Sequence, residues 1–305
     1  MKTHLAPPTK ATPQQPLVHP QSAAKALPWM IGWLSLMVVM AVAGRQATRE
    51  LNVFQIMEVR SLMGLLLLSP LIWAAGGLRA MRTARPVLHL ARNLVHYLAQ
   101  YAWLLALTMI PLAQLVALEF TMPIWTLLLA AAFLAEPLHR WKVAAVALGV
   151  AGVFLIVRPA DAGVSPGQLI ALASAVGFAI SVTLVKIATQ TEDATKIMFW
   201  MLIIQSVLGL LPALSVWHWP SVAVWGWLVV IAFCGTFSHY CMARAMRHAQ
   251  ATVIVPMDFL RVPLTALAGW AIYAERIDLL MVLGTGLILA GNLLNLRRLP
   301  NNNQK

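Results

Sequence analysis

Residues 119–136, EFTMPIWTLLLAAAFLAE, and residues 258–275, DFLRVPLTALAGWAIYAE, correspond at a constant offset of 139 residues. Each stretch begins with an acid followed by phenylalanine, carries a proline near its start and ends in alanine and glutamate. The same offset relates three further pairs, which are Tyr101 and Tyr240, Gly152 and Gly291, and Arg158 and Arg297. Self-similarity of this kind indicates an internal duplication, in which one apolar unit of several helices occurs twice.

The composition predicts that the lipid bilayer is the main solvent and partner of this chain. Hydrophobic residues make up 60% of the sequence, the mean hydropathy is +0.77 and only 10% of residues are charged, against about a quarter in soluble domains. The net charge of +12 predicts no nucleic-acid partner, because the basic residues lie in short clusters between apolar runs. Cys234 and Cys241 have no metal-ligand spacing and are expected to pack as apolar side chains. No cofactor or metal is predicted.

The apolar runs predict an all-α integral membrane protein of ten transmembrane helices, arranged as two inverted five-helix repeats. Each run approaches the ~20 residues that cross a bilayer, and five runs fall in each half. Their approximate ranges are 29–44, 53–75, 87–108, 111–135, 141–158, 167–187, 196–216, 221–243, 250–274 and 278–296. The predicted units are a disordered cytoplasmic tail at 1–27, repeats at 28–158 and 159–298, and a second tail at 299–305.

The basic residues predict that both termini are cytoplasmic and that the protein lies in the cell inner membrane. Cytoplasmic loops collect lysine and arginine. With the N-terminus inside, fifteen basic residues lie on the inner side and four on the outer side. An odd number of spans in each half then makes the second half sit upside down relative to the first, an arrangement that many secondary transporters build around a midplane site.

Ten spans in two halves, with Ala-Glu at 135–136 and 274–275 closing the fourth span of each half, resemble the EamA family of the drug/metabolite transporter superfamily. Pro123, Pro263 and the glycine-rich run that leads to Arg158 also resemble that family. The stretch at 256–263, PMDFLRVP, is similar to a bacterial branch associated with riboflavin and S-adenosylmethionine uptake. The resemblance implies a carrier of small metabolites, but it fixes neither the substrate nor the direction of transport.

Three ionisable residues inside the predicted spans are candidates for the central site. Glu119 and Asp258 each lie about eight residues, or ~12 Å, into their spans, so the duplication brings both acids near the midplane. Arg261 follows Asp258 by three residues and shares its helix face. The alternative is that Asp258 and Arg261 simply neutralise each other. Because Glu119 has no cation within one turn of sequence, it is the acid expected to carry a coupling proton.

Polar residues on the third span predict a face that lines a cavity. Asn93, His96, Tyr97, Gln100 and Tyr101 recur at helical spacing, and His239 and Tyr240 occupy the positions of Gln100 and Tyr101 in the other half. Hydrogen bonding between helices is the alternative for any one of them. The predicted substrate site therefore consists of Gln100, Tyr101, Glu119, His239, Tyr240, Asp258 and Arg261.

Other interpretations were weighed against a carrier. Glu58 and Arg60 open the second span and are expected to form an ion pair or an outer gate. An enzyme is disfavoured because the chain has no His-Glu-x-x-His or Gly-x-Ser-x-Gly motif. A membrane sensor or assembly factor on the same fold, which does not transport, is the alternative function. A homodimer is left open.

Overall fold

A computed structural model describes residues 23–134, 140–158, 163–188, 191–248 and 257–295, and within these ranges the chain is α-helical without strands. The helices are α1 Ala23–Ala47, α2 Val53–Ala74, α3 Pro86–Met109, α4 Leu112–Glu119, α5 Met122–Leu134, α6 Arg140–Val157, α7 Pro166–Ala188, α8 Ala194–Ser215, α9 Val222–His248, α10 Arg261–Tyr273 and α11 Leu279–Asn295. Glu136, residues 1–22 and the C-terminal tail lie outside the described residues, whereas residues 23–27 of the predicted N-terminal tail belong to α1.

Within the described part of the chain, seven helical segments are long and apolar enough to cross a membrane, which makes the chain a multi-pass membrane protein. They are α1, α2, the combined α4 and α5, α6, α7, α8 and α9. Three other segments fall short for separate reasons. The 24-residue α3 carries many polar side chains, whereas α10 has only 13 residues and α11 has 17.

The loops gather at two ends of the helix bundle. At the first end, Glu50 accepts hydrogen bonds from the backbone N–H and the hydroxyl of Ser221, at 2.6 and 2.8 Å. This contact joins the α1–α2 loop to the α8–α9 loop. At the second end, Trp200 Nε1 donates to the Met81 carbonyl at 2.8 Å, which ties α8 to the α2–α3 loop. Successive helices therefore run between the two ends in alternating directions.

Two helices are interrupted at matching positions of the duplication. Phe120 and Thr121 separate α4 from α5, and a turn at Phe259 and Leu260 precedes α10, so the two breaks are also 139 residues apart. Pro123 and Pro263 follow the breaks, and a proline has no N–H to continue the helical hydrogen bonds. The freed carbonyl of Phe120 accepts a hydrogen bond from Asn292 Nδ2 at 2.8 Å.

The largest apolar core surrounds the first of these breaks. Leu112, Leu115 and Leu118 of α4 are fully buried against residues from α3, α7, α10 and α11. On the far side of this core α6 and α11 approach closely, because a Cβ at Gly152 would lie 2.4 Å from the Gly284 carbonyl oxygen. Small residues allow such backbone contact between membrane helices. The core thus fixes the broken helix between the two halves of the chain.

Candidate functional site

The side chain of Arg261 connects the two acids that follow from the duplication. Its Nη2 donates to Glu119 Oε1 at 2.9 Å, and its Nε lies 3.7 Å from Asp258 Oδ1. Arg261 is 6% exposed, so this charge cluster is inside the protein. Glu119 has no cation within one turn of sequence, but the structure gives it one from a residue 142 positions away. The predicted Asp258–Arg261 pair is present, but it is the longer of the two contacts.

Each acid also accepts a hydrogen bond from an indole. Trp103 Nε1 donates to Glu119 Oε2 at 2.8 Å, and Trp33 Nε1 donates to Asp258 Oδ1 at 2.6 Å. The Phe120 ring lies 4.8 Å below the Arg261 guanidinium and can add a cation–π attraction. With both acids ionised, the cluster holds two carboxylates and one guanidinium. It can therefore stabilise one further positive charge, whether a proton or a cationic group.

Beside this cluster lies a cavity of about 90 Å³, which is smaller than the ~300–1,000 Å³ of typical small-molecule sites. Its walls come from helices of both halves, with aromatic and methionine side chains around a few polar groups. The lining residues are Met37, Met40, Gly44, Met57, Arg60, Gln100, Trp103, Leu104, Glu119, Phe178 and Ile231. Flexible thioethers can repack, which allows this cavity to widen around an organic molecule. Of the predicted site residues, Gln100 and Glu119 lie on the cavity wall.

Arg60 is the polar wall residue that the sequence interpretation assigned elsewhere. Its Nη2 donates to Gln100 Oε1 at 2.8 Å and to Gln205 Oε1 at 3.1 Å. The expected ion pair with Glu58 is wrong, because neither carboxylate oxygen of Glu58 has a hydrogen-bond partner among the described residues. Residues two apart do not face each other on a helix. That spacing was the signal that could have separated Arg60 from Glu58.

The polar face of α3 serves two purposes. Asn93 is fully buried and donates to the His89 carbonyl at 2.8 Å, and His96 Nδ1 lies 3.2 Å from the Ser181 hydroxyl. The first contact lies within α3, and the second joins α3 to α7. Tyr101 stacks on Phe54 with ring centroids 4.5 Å apart, away from the cavity lining. Gln100 is the member of this face that contacts the cavity.

Tyr240, the counterpart of Tyr101 in the second half, does not line the cavity. Tyr240 is 45% exposed and packs its ring edge against Trp29 at 6.0 Å. The side chain of His239 lies outside what the structure describes. Among the described residues α3 provides Gln100, Trp103 and Leu104 to the cavity, and α9 provides Ile231, which corresponds to Arg92 at the offset of 139.

Ion pairs tie the helices at both ends of the bundle. At the first end Glu275 pairs with Arg45 and accepts hydrogen bonds from the Leu112 N–H at 3.0 and 2.9 Å. Arg45 also donates to the Leu107 carbonyl at 2.8 Å. Glu275 thus links α1 and the start of α4 to the end of α10. These contacts would have to break if the halves separated at this end.

At the second end Glu192 pairs with His89 and accepts a hydrogen bond from Thr83. Partial burial raises the pKa of Glu192, but the hydrogen bonds from Thr83 and His89 and the charges of His89 and Lys196 outweigh it. The net effect lowers the pKa of Glu192 below its ordinary value. The contact joins the loop before α8 to the first turn of α3. Each end of the bundle therefore has an ion pair between the two halves of the chain.

Comparison with known proteins adds family and fold information to this geometry. The model of the EamA-like transporter family matches residues 24–158 and 165–297, one segment in each half. An S-adenosylmethionine uptake transporter of Rickettsia felis is 26% identical over 86% of this chain and 90% of its own. A riboflavin transporter of Rhizobium johnstonii is 30% identical over 72% of this chain and 74% of its own.

Export also occurs among the relatives. A pseudopaline exporter of Pseudomonas aeruginosa is 26% identical over 82% of this chain and 88% of its own. A crystal structure with 20% sequence identity superposes with a TM-score of 0.63 and covers 90% of this chain and 97% of the matched one. At that identity the superposition shows the fold.

Proposed function

We propose that this chain, which belongs to the EamA-like transporter family, is a secondary carrier that moves a small metabolite across the inner membrane by alternating access. The observation that carries the proposal is the cavity between the halves, next to the break in α4 and the Glu119–Arg261 contact. Interrupted helices at the centre of a bundle are a common way in which transporters form a substrate site.

The pairing of helices supports an inverted duplication of five spans. Exchanging the halves relates α1 to α7, α2 to α8, α3 to α9, the α4–α5 helix to α10, and α6 to α11. Under that exchange the packing of α1 on α9 becomes the packing of α7 on α3, and both are extensive. The pairs α2–α8 and α6–α11 map onto themselves, and both are in contact. Ten spans, two of them interrupted, fit this pattern.

The proposed cargo is a heteroatom-rich organic molecule with a flat ring system. Trp103 and Phe178 offer ring faces in the cavity, and Gln100 and Arg60 offer hydrogen bonds. Riboflavin and S-adenosylmethionine, the molecules in the names of the two relatives, both have this character. They are therefore the first compounds to test.

Proton coupling is proposed to reside in the cluster of Glu119, Arg261 and Asp258. One guanidinium cannot balance two carboxylates, and an unbalanced charge inside a membrane protein is costly. A proton that enters the cluster removes this imbalance, and a cationic part of the cargo would compete with it. Either exchange links transport to the pH gradient.

The test is flux in proteoliposomes, with radiolabelled riboflavin and S-adenosylmethionine as separate substrates. Exchange against unlabelled compound and accumulation driven by a pH gradient are measured for wild type and for Glu119→Gln. Leu98→Ala is the matched control, because Leu98 is 58% exposed on the outer face of α3. Glu119→Gln should retain exchange and lose gradient-driven accumulation.

Two results would contradict the proposal. Binding of a substrate without any flux would favour the sensor, and full accumulation by Glu119→Gln would remove that acid from coupling.

Orientation is tested separately, because fifteen inner against four outer basic residues favour cytoplasmic termini. A reporter that is active only in the cytoplasm should be active when it is fused after Lys305. A reporter that is active only in the periplasm should be inactive there.

A further inference from the structure

The guanidinium of Arg60 has only neutral hydrogen-bond partners within the described part of the chain. Gln100 and Gln205 both turn their amide oxygens to its Nη2. Its Nε is buried and has no partner there, and neither has the Nε2 of Gln205. A guanidinium can only donate, so the two amides must present oxygen to it. The nitrogen of Gln205 is left as a buried donor that lacks an acceptor.

A second arginine adds to the positive charge of this region. Arg92 of α3 is 9% exposed and donates to the neutral Asn93 side chain at 2.6 Å. It lies close enough for its charge to repel that of Arg60. The nearest acid in sequence, Glu58, has no hydrogen bond among the described residues to either arginine. Buried cations are normally paired, so this region lacks an anion.

The unused groups all require the same kind of partner. The buried Arg60 Nε and Gln205 Nε2 are both donors, and only an acceptor can satisfy them. A planar guanidinium binds the two oxygens of a carboxylate or a phosphate with two parallel hydrogen bonds. We propose, on the basis of the carrier function above, that Arg60, Gln100 and Gln205 form a subsite that binds an anionic oxygen group of the cargo.

Arg60 is placed beside the proposed substrate cavity. It lines this cavity together with Glu119, and it also lines a void of about 10 Å³ with Met201 and Thr236, which is about the space of one water molecule. The subsite is separate from the Glu119–Arg261–Asp258 cluster, in which one guanidinium faces two carboxylates. A cargo with an anionic group at Arg60 and a cationic or neutral body near Glu119 matches both.

The first test compares ligands that differ only in the anionic group. Two matched pairs are used, S-adenosylmethionine with its decarboxylated analogue and riboflavin 5′-phosphate with riboflavin, and binding to the purified protein is measured by competition. The wild type should prefer the anionic member of at least one pair, and which pair responds tells carboxylate from phosphate. Arg60→Gln should weaken that member about 10-fold to 150-fold and leave the other member unchanged.

The second test supplies the missing anion from the protein itself. Gln205→Glu is nearly isosteric and places a carboxylate next to Arg60, so it should raise the apparent melting temperature and remove the preference for the anionic ligand. Arg79→Gln, in an exposed loop, is the matched control for loss of an arginine and should bind as wild type does.

The outcomes separate this subsite from the carrier function. A wild type that prefers the members without the anionic group, or that binds none of the four compounds, would overturn the subsite, as would a lower melting temperature for Gln205→Glu. Binding that depends on Arg60 without flux in proteoliposomes would keep the subsite and overturn the carrier. Flux that Arg60→Gln leaves unchanged would keep the carrier function and overturn the subsite.

Discussion

Replacing Arg261 with glutamine should be the most destabilising single change in the central cluster. Arg261 is 6% exposed and contacts Glu119 at 2.9 Å and Asp258 at 3.7 Å. Arg261→Gln leaves both carboxylates without a cation, and removing one partner of a buried ion pair costs about 3–5 kcal/mol. Asp258→Asn leaves the shorter Glu119 contact intact and should cost about 1 kcal/mol, the value of one hydrogen bond. Glu119→Gln should fall between them.

The free energy of unfolding can be measured by SDS titration in mixed micelles, with the apparent melting temperature as a second readout. A double variant, Arg261→Gln with Glu119→Gln, isolates the pair. It removes one of the two unbalanced carboxylates, so it should be more stable than Arg261→Gln alone by about 0.5–3 kcal/mol, the range of coupling between residues in contact.

Two results would refute this reasoning. If Asp258→Asn costs as much as Arg261→Gln, the contact with Glu119 is not the dominant one. If the double variant is less stable than Arg261→Gln alone, the carboxylate of Glu119 is stabilised by groups other than the guanidinium.

Three further predictions concern other parts of the molecule. Gly152→Ala places a Cβ 2.4 Å from the Gly284 carbonyl oxygen and should lower the free energy of unfolding by about 1–3 kcal/mol, whereas Gly286→Ala meets open space and should raise it by up to about 1 kcal/mol. Because the pKa of Glu192 is lowered in the folded protein, its stabilising effect is fully present above the ordinary pKa of 4.5 and is lost as the pH falls through the lowered value. Glu192→Gln should therefore reduce the fall of the melting temperature at acidic pH. An unchanged dependence of the melting temperature on pH would mean that the contact of Glu192 with His89 does not stabilise the fold. Glu58→Gln removes a buried carboxylate without described partners and should raise the free energy of unfolding by about 1 kcal/mol, so a lower value would mean that the acid has a partner.

The sequence predicted the features that depend on local pattern and on the duplication. The offset between the copies placed Glu119 and Asp258 at equivalent depths, and the structure interrupts the helices one residue after each. The predicted spans 111–135 and 250–274 are continuous, so the interruptions themselves were not predicted. The helix face that carries Gln100 also followed from spacing, because a period of three to four residues depends only on the helix itself.

The contacts between distant helices could not be predicted in this way. The Arg261–Glu119 contact spans 142 positions, and no pattern within one helix indicates which neighbour an arginine will reach. Arg60 was assigned to Glu58 because the two are close in sequence, whereas packing directs it to α3 and α8. Tyr240 was placed by symmetry with Tyr101, but the exposed environment of α9 overrides that expectation.

The residues that carry the proposed function lie where the two halves differ. At the offset of 139 residues, Arg261 corresponds to Met122 and Arg60 corresponds to Phe199. The shared features, which are the interrupted helices and the paired acids, give both halves the same shape, and such symmetry allows a site to open toward either end. A symmetric charge distribution, however, would bind a cargo equally well in two opposite orientations. Arg60 and Glu119 both line the cavity, but this charge pattern is not repeated in the other half, so we expect a cargo with unlike ends to bind in a single orientation.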